Sequence, residues 1–333
     1  NLPSGSVFDL VDAFTLTFNK DMQPSSVMAG ANYSLVSAGE DDTFRTPDDA
    51  AYTVAPTSYS NGLSNDYGIS DGPLAPGMYA FTADGLLDTF GNPLPLPFTR
   101  QFTISQMAGF ISESESNGSG ATADVLEFTE DVPGLLTAAG RGRLVAAEID
   151  YWQFEGEAGD VLVFDAHLPA APTSQGLQWY MTNPSGGQVF NRYQGHTNQI
   201  DTFGTVVLPE TGTYLLRVDD WYGLRTEYRF RVTLVRGHDY ESEDNGDLPN
   251  ADVLTLTTSN NIDAADVAGY LGRNTELDYF SLGSVAAGNT VFLSVTLPDG
   301  SELVPVVALY SGSGVLMSET NGSAGDDNAE IQI

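Results

Sequence analysis

An acidic pentapeptide occurs twice in this chain. Glu113-Ser114-Glu115-Ser116-Asn117 returns 128 residues later as Glu241-Ser242-Glu243-Asp244-Asn245, and the same interval carries Asp124 onto Asp252 and Asp150-Tyr151 onto Asp278-Tyr279. A repeat of this length is a whole domain present in two copies, not a solenoid of short units. Each copy begins with carboxylates at every second position beside an asparagine. Charges of one sign packed that way repel unless something cationic sits among them. The repeat divides the 333 residues into an unrelated first unit, residues 1–105, and two copies at 106–237 and 238–333.

Within each unit the apolar residues alternate. Phe14-Thr15-Leu16-Thr17-Phe18, Asn32-Tyr33-Ser34-Leu35-Val36, Met78-Tyr79-Ala80-Phe81 and Thr99 to Ile104 read as half-buried strands of the first unit. In the second unit the strands are Ile149 to Phe154, Val161 to Phe164, Leu177 to Met181, Gly212 to Val218 and Tyr228 to Leu234. The third repeats Leu277-Asp278-Tyr279-Phe280, Val291 to Val295 and Leu309 to Gly314. With 35 glycines and 17 prolines punctuating the chain, short strands and turns are favoured over long helices. The expected fold is all-β, three tandem β-sandwich domains.

Charge narrows the partners. Twelve basic residues, of which Lys20 is the one lysine, stand against 45 acidic ones, a net charge of −33. Such a chain repels nucleic acid and anionic membrane surfaces. The carboxylates make a solubilising surface, bind divalent cations, or do both. Cysteine is absent, which excludes disulfides, cysteine catalysis and thiolate zinc sites. There is no apolar run of about 18 residues, hence no membrane-spanning helix and no membrane insertion. Asn1-Leu2-Pro3-Ser4-Gly5 reads as the interior of a mature protein rather than a leader.

Thr17-Phe18-Asn19-Lys20-Asp21-Met22-Gln23-Pro24, followed by Asn32-Tyr33-Ser34-Leu35 and later by Asp88-Thr89-Phe90-Gly91-Asn92-Pro93, resembles the bacterial Ig-like domain of S-layer and other surface proteins. The resemblance spans almost all of the first unit. It implies an opening strand that should precede Asn1. The Asp-x-x-Gly-Asn element suits a tight turn, with the aspartate as its cap. Inside this unit Gly39-Glu40-Asp41-Asp42, continuing to Asp48-Asp49, is either an acidic hairpin tip or a Ca²⁺ loop. Its spacing is not that of an EF-hand.

The Glu-x-Glu-x-Asn opening, Asp150-Tyr151-Trp152-Gln153-Phe154, Ala158-Gly159 and Gly212-Thr213-Tyr214 are similar to the bacterial pre-peptidase C-terminal domain. That β-sandwich is appended to secreted proteases, and the collagen-binding domains of bacterial collagenases belong to the same group. The resemblance implies Ca²⁺ at Glu113, Glu115, Asn117 and Asp150, with Glu148 beside them, and at Glu241, Glu243, Asn245, Glu276 and Asp278 in the repeat. Hard carboxylate and amide oxygens suit this ion, and no thiolate or imidazole cluster suits zinc.

Signals for catalysis are weak. His167, His196 and His238 are scattered, and Asp165 and His167 share a strand face without a Gly-x-Ser-x-Gly nucleophile. No His-Glu-x-x-His and no phosphate loop is present. Leu208-Pro209-Glu210-Thr211-Gly212 spells a sortase signal, but more than 100 residues follow it and it runs straight into a strand. The aromatics Trp221, Tyr222 and Tyr228 are candidate contacts for collagen or glycan, half of which alternation sends to the core.

The chain therefore reads as a non-catalytic extracellular or cell-surface segment of tandem sandwiches stiffened by Ca²⁺ at their junctions. Its partners are other copies of itself or neighbouring surface chains, and extracellular protein or glycan. The alternative is a substrate-targeting appendage of a secreted hydrolase. One further expectation concerns the third unit. From Asp150 to Val235 is 85 residues, whereas from Asp278 to Ile333 is 55, so counterparts of two core strands, 212–218 and 228–234, are missing. Either the polypeptide continues or a neighbouring subunit donates strands. The missing opening strand before Asn1 favours the former.

Overall fold

The structure is a computed structural model that describes all residues except 1, 71, 115–116, 145–147, 170–175, 196–199, 221–225, 243–244, 272–275, 298–302, 322–327 and 333. The chain is all-β. Among the described residues the α-helix is one turn, Pro24–Val27, started by a proline whose missing N–H costs nothing at a helix N-terminus.

The first unit holds β1 (Gly5–Val7), β2 (Ala13–Thr17), β3 (Tyr33–Ser37), β4 (Ala50–Tyr52), β5 (Val54–Pro56), β6 (Ser64–Ile69), β7 (Gly77–Ala83) and β8 (Phe98–Ile104). They form two sheets, in the orders β1-β8-β7-β3-β4 and β2-β6-β5. The inward residues interlock: Phe14 stacks on Tyr67 at 5.5 Å and meets Phe81 edge-on at 5.1 Å. The predicted aspartate cap is in place. Asp88 accepts from the amides of Phe90 and Asn92, at 3.0 and 2.9 Å, and Gly91 takes the left-handed conformation at φ 81°. Hydrogen bonds, first that of the Asn92 side chain, hold the Asp88 carboxyl down at about 2. One expectation differs. A strand inside the chain, β1, runs parallel to β8 and closes that edge of the sheet.

The second unit comprises β9 (Ile111–Ser112), β10 (Asp124–Val125), β11 (Thr129–Val132), β12 (Leu135–Leu144), β13 (Ile149–Gly156), β14 (Val161–His167), β15 (Leu177–Thr182), β16 (Gln188–Gln194), β17 (Ile200–Val207), β18 (Gly212–Asp219) and β19 (Thr226–Val235). One sheet runs β10-β13-β18-β15-β16 and the other β11-β12-β19-β14-β17, with β9 beside β12. Two tryptophans, Trp152 and Trp179, lie fully buried between them. Phe230 meets both edge-on, at 5.1 and 5.7 Å. Strand β12 shows how sequence sorts the faces. Its glycines 140 and 142 point inward, where an added Cβ would lie 2.4 Å from the Phe230 ring or 2.2 Å from the Tyr228 hydroxyl. Its arginines 141 and 143 point outward.

The third unit holds β20 (Asp239–Tyr240), β21 (Asp252–Val253), β22 (Thr257–Ser259), β23 (Ile262–Ala264), β24 (Val267–Ala268), β25 (Phe280–Ser281), β26 (Phe292–Thr296), β27 (Val306–Tyr310), β28 (Leu316–Asn321) and β29 (Asn328–Gln332). The pairings repeat those of the second unit. Parallel Asp124↔Trp152 becomes Asp252↔Phe280, and parallel Ile111↔Gly140 becomes Asp239↔Val267. The antiparallel pairs β14–β17 and β15–β16 return as β26–β29 and β27–β28. Here, however, the pairs stand as separate two-stranded sheets. Among the described residues, every buried apolar residue except Pro305 lies at or before Val235.

Candidate metal centre

The acidic opening of the second unit runs beside β12. The Glu113 amide donates to the Arg141 carbonyl at 2.9 Å, and the Glu113 carboxylate accepts from the Arg143 amide. This turns the side chain inward over Gly142, whose bare Cα leaves the space; an added Cβ would come within 2.2 Å of the carboxylate. Asp150, on β13, reaches the same point from the opposite sheet. Glu113 is 3% and Asp150 1% exposed.

The two carboxyls meet at Tyr228. Its hydroxyl lies 2.8 Å from Glu113 Oε2 and 2.6 Å from Asp150 Oδ2, and it accepts from the Trp152 Nε1–H at 3.1 Å. A phenol has one proton to donate. Two buried carboxylates around one O–H therefore leave negative charge uncompensated, and a proton or a cation must make up the difference. Burial, then the neighbouring Asp150, drives the Glu113 carboxyl well above its ordinary value, and burial likewise raises Asp150. Burial and the two carboxylates keep the Tyr228 hydroxyl protonated. Neither nearby arginine turns inward to help. Arg141 bonds the Phe8 carbonyl and Glu227, and Arg143 bonds the Leu10 carbonyl and Asp12.

The other residues singled out in the sequence take different positions. Asn117 is buried close by, yet its amide donates to Asp124 at 3.0 Å, and Asp124 also accepts from the Ser114 amide and hydroxyl. Asn117 thus braces the acidic turn with Asp124, a residue marked by the repeat but not picked as a site. Glu148 and Glu276 are half-buried, each engaged in interactions of its own. Glu115 and Glu243 lie outside the described residues, as do Trp221 and Tyr222. Tyr228 is a correction. The sequence offered it as a ligand-facing aromatic, whereas it is fully buried, because β19 is a central strand and position 228 alternates inward with Phe230 and Val232. Among the described residues no three His, Asp or Glu side chains converge on one point, so a bound cation would draw on Glu113, Asp150 and neighbouring oxygens.

The repeat rebuilds much of this. The Glu241 amide donates to the Ala268 carbonyl at 3.1 Å, its carboxylate accepts from the Tyr270 amide, and it packs over Gly269. Asp252 accepts from the Ser242 amide and hydroxyl, each at 2.7 Å, and from Asn245 at 3.2 Å. Glu241 is 5% exposed, and burial raises its carboxyl to about 8. Asp278, half-buried, is also raised, by burial first. The other acidic candidate, 39–49, is a surface loop. Asp48 accepts from the amides of Glu40 and Asp41, and Asp49 from that of Arg45.

The sequence matches no family model and no curated protein. Solved structures similar to the chain include the pre-peptidase C-terminal domain of collagenase from Bacillus anthracis, at 14% identity over 33% of this chain and 93% of that one, TM-score 0.25. The N-terminal part of the bacterial S-layer protein SbsC matches at 14% identity over 62% of this chain and 43% of that one, TM-score 0.25. The secreted serine protease VesC from Vibrio cholerae matches at 14% identity over 68% and 47%, TM-score 0.21. Scores of this size leave the function to the chain's own residues.

Proposed function

We propose that the chain is a non-catalytic, extracellular structural segment of a larger surface protein, its units held by Ca²⁺ bound at the acidic openings. One observation carries this reading: Glu113 and Asp150 are buried around a single hydroxyl, and among the described residues no basic side chain bonds to them. The pair lies too deep to be offered to a substrate in solution. A cation there would act mechanically. Strand β12 contacts Glu113 through its backbone and the first unit through its arginines, so whatever steadies Glu113 steadies the strand that grips residues 8–12. Glu113, Asp150 and, in the repeat, Glu241 and Asp278 would supply hard oxygens, the ligands Ca²⁺ prefers.

The test is thermal unfolding in calcium and in chelator. At a calcium concentration a hundred times the dissociation constant, binding adds about 2.7 kcal/mol. Asp150→Asn should abolish the calcium-dependent rise in the second unit and leave that of the repeat. Melting that ignores both calcium and Asp150→Asn overturns the reading.

The alternative, a substrate-targeting appendage, has one observation in its favour. Tyr151, Arg217 and Tyr180 stand side by side on the outer face of three adjacent strands, the guanidinium 5.6 Å from the Tyr180 ring. Retention on insoluble collagen or polysaccharide, lost in Tyr180→Ala, would support it.

A further inference from the structure

The two sheets of the second unit have four ends, and three of them are poorly suited to take another strand. β10 is two residues long, β11 carries Glu130 and stops at Pro133, and β16 presents Arg192. Short edge strands, charges and prolines all discourage pairing. The fourth end is β17. It runs for eight residues, Ile200–Val207, with β14 on one side and, among the described residues, no strand on the other. It contains no lysine, arginine or proline, and its one acid is Asp201. A bulge sets which side chains it shows. Val163 stands opposite Thr205 and Phe164 opposite Phe203, so Gly204 is an extra residue and the alternation changes phase there. Phe203 and Val206 pack toward the core, while Ile200, Thr202, Thr205 and Val207 are exposed, the first and last at 62% and 63%. The exposed positions therefore fall in the same order from either end of the strand.

We propose that β17 is a docking edge for a second copy of this chain. The two β17 strands pair antiparallel about the Phe203–Gly204 bond, so that Ile200 faces the partner's Val207 and Thr202 faces the partner's Thr205. Directly opposed residues of an antiparallel pair share a face, and this register joins exposed to exposed at all four positions. β-Branched residues and threonine pairs are the contacts that stabilise such a seam. Charge selects the same place. Two copies at −33 repel each other, so a contact between them needs a strip with little charge. Here each Asp201 lies opposite the partner's Val206, which keeps the two acids at opposite ends of the seam. The contact is the same patch on both copies, so it closes as a dimer with one sheet running through both second units and does not propagate as a fibre. It takes no residue from the acidic openings and goes beyond the calcium reading, with which it neither stands nor falls.

The experiment is sedimentation of chain 1–333 over a wide range of concentration, with hydrogen exchange on the same samples. Monomer and dimer should exchange, and the dimer should be tighter at 0.15 M salt, where the Debye length is about 8 Å, than at 0.01 M, where it is about 30 Å. Protection should rise at 200–207 as the dimer fills and stay unchanged at 188–194, the edge of the other sheet. Val207→Lys should weaken the dimer about tenfold, because the two-fold axis counts each loss twice. Tyr193→Lys, on β16, should leave it unchanged. The chain has no cysteine, so Ile200→Cys and Val207→Cys report the register. Mixed, the two variants should form a disulfide-linked heterodimer faster than either alone, since each alone puts its two thiols at opposite ends of the seam. The dissociation constant should be the same in calcium and in chelator. A chain that stays monomeric in both salts, a dimer indifferent to Val207→Lys, or one that loosens as salt is raised overturns the proposal. So does a dimer that needs calcium, which would place the contact at the acidic openings. Linkage of either single variant as fast as the mixture overturns the register.

Discussion

The two acidic openings are nearly identical in sequence and differ in depth. In the second unit Asp150 is 1% exposed and meets Glu113 through a tyrosine that Trp152 holds in place. In the third, Asp278 is half-buried, Phe280 replaces the tryptophan, and the carboxyl of Glu241 rises to about 8 where that of Glu113 is driven well above its ordinary value. The local turn is the same in both: serine amide and hydroxyl on an aspartate, asparagine amide on the same oxygen. In the second unit β19 carries the tyrosine that meets both carboxyls. A pentapeptide can fold its own turn, but a low-dielectric site needs walls, and β19 is one of them.

The largest test of this contrast removes a wall. Trp152→Ala should destabilise the second unit by about 3–5 kcal/mol, the range for emptying a buried aromatic site. Phe280→Ala, at a half-buried position, should cost far less; equal costs in urea unfolding would break the comparison. Next comes the glycine under each carboxylate. Gly142→Ala pushes a methyl onto Glu113 and Tyr228 and should cost about 1–3 kcal/mol. Gly269→Ala meets Glu241 alone and should cost less.

A third test concerns the junction. Arg143→Ala removes the ion pair with Asp12 and the bond to the Leu10 carbonyl, which stand at 3.0 and 2.8 Å. The strand itself should persist, and the first unit should melt separately from the second. The repeat carries Ala268 and Tyr270 at the positions of Arg141 and Arg143, so no equivalent uncoupling is expected between the second and third units.

The smallest effect is the response to pH. In chelator, a raised carboxyl contributes stability that is present below its unfolded value and is lost as pH climbs to its folded value. For Glu241 that window runs from 4.5 to about 8. Calcium competes with the proton, so stability in calcium should fall less, or rise, across the same window. Identical pH profiles in calcium and chelator would show that a proton alone neutralises the pair.

Glu113 and Asp150 could be found in the sequence because the 128-residue interval repeats them together. Tyr228 could not. It lies 115 residues from Glu113 and is brought there only when β19 pairs with β12. Alternation said that half of its neighbourhood was core but not which half, since a one-residue shift of register reverses every side chain. Gly142 escaped notice for a related reason: a glycine in a strand is silent until the carboxylate above it is known. The grip of Arg141 and Arg143 on residues 8–12 was likewise invisible, because it joins units that share no repeat.

By itself the sequence determined the strands, the turns and the doubling of a domain. These follow from period-two alternation, from glycine and aspartate at turns, and from a fixed interval, all local or self-similar properties. Only the tertiary structure decided which acids face inward, which hydroxyl stands between them, and which copy is walled on every side. Those depend on strand order, and in the second unit β18 and β19 lie at the centres of the two sheets. The second unit's filled sandwich buries both acids of its pair, whereas in the repeat Glu241 is buried and Asp278 only half-buried.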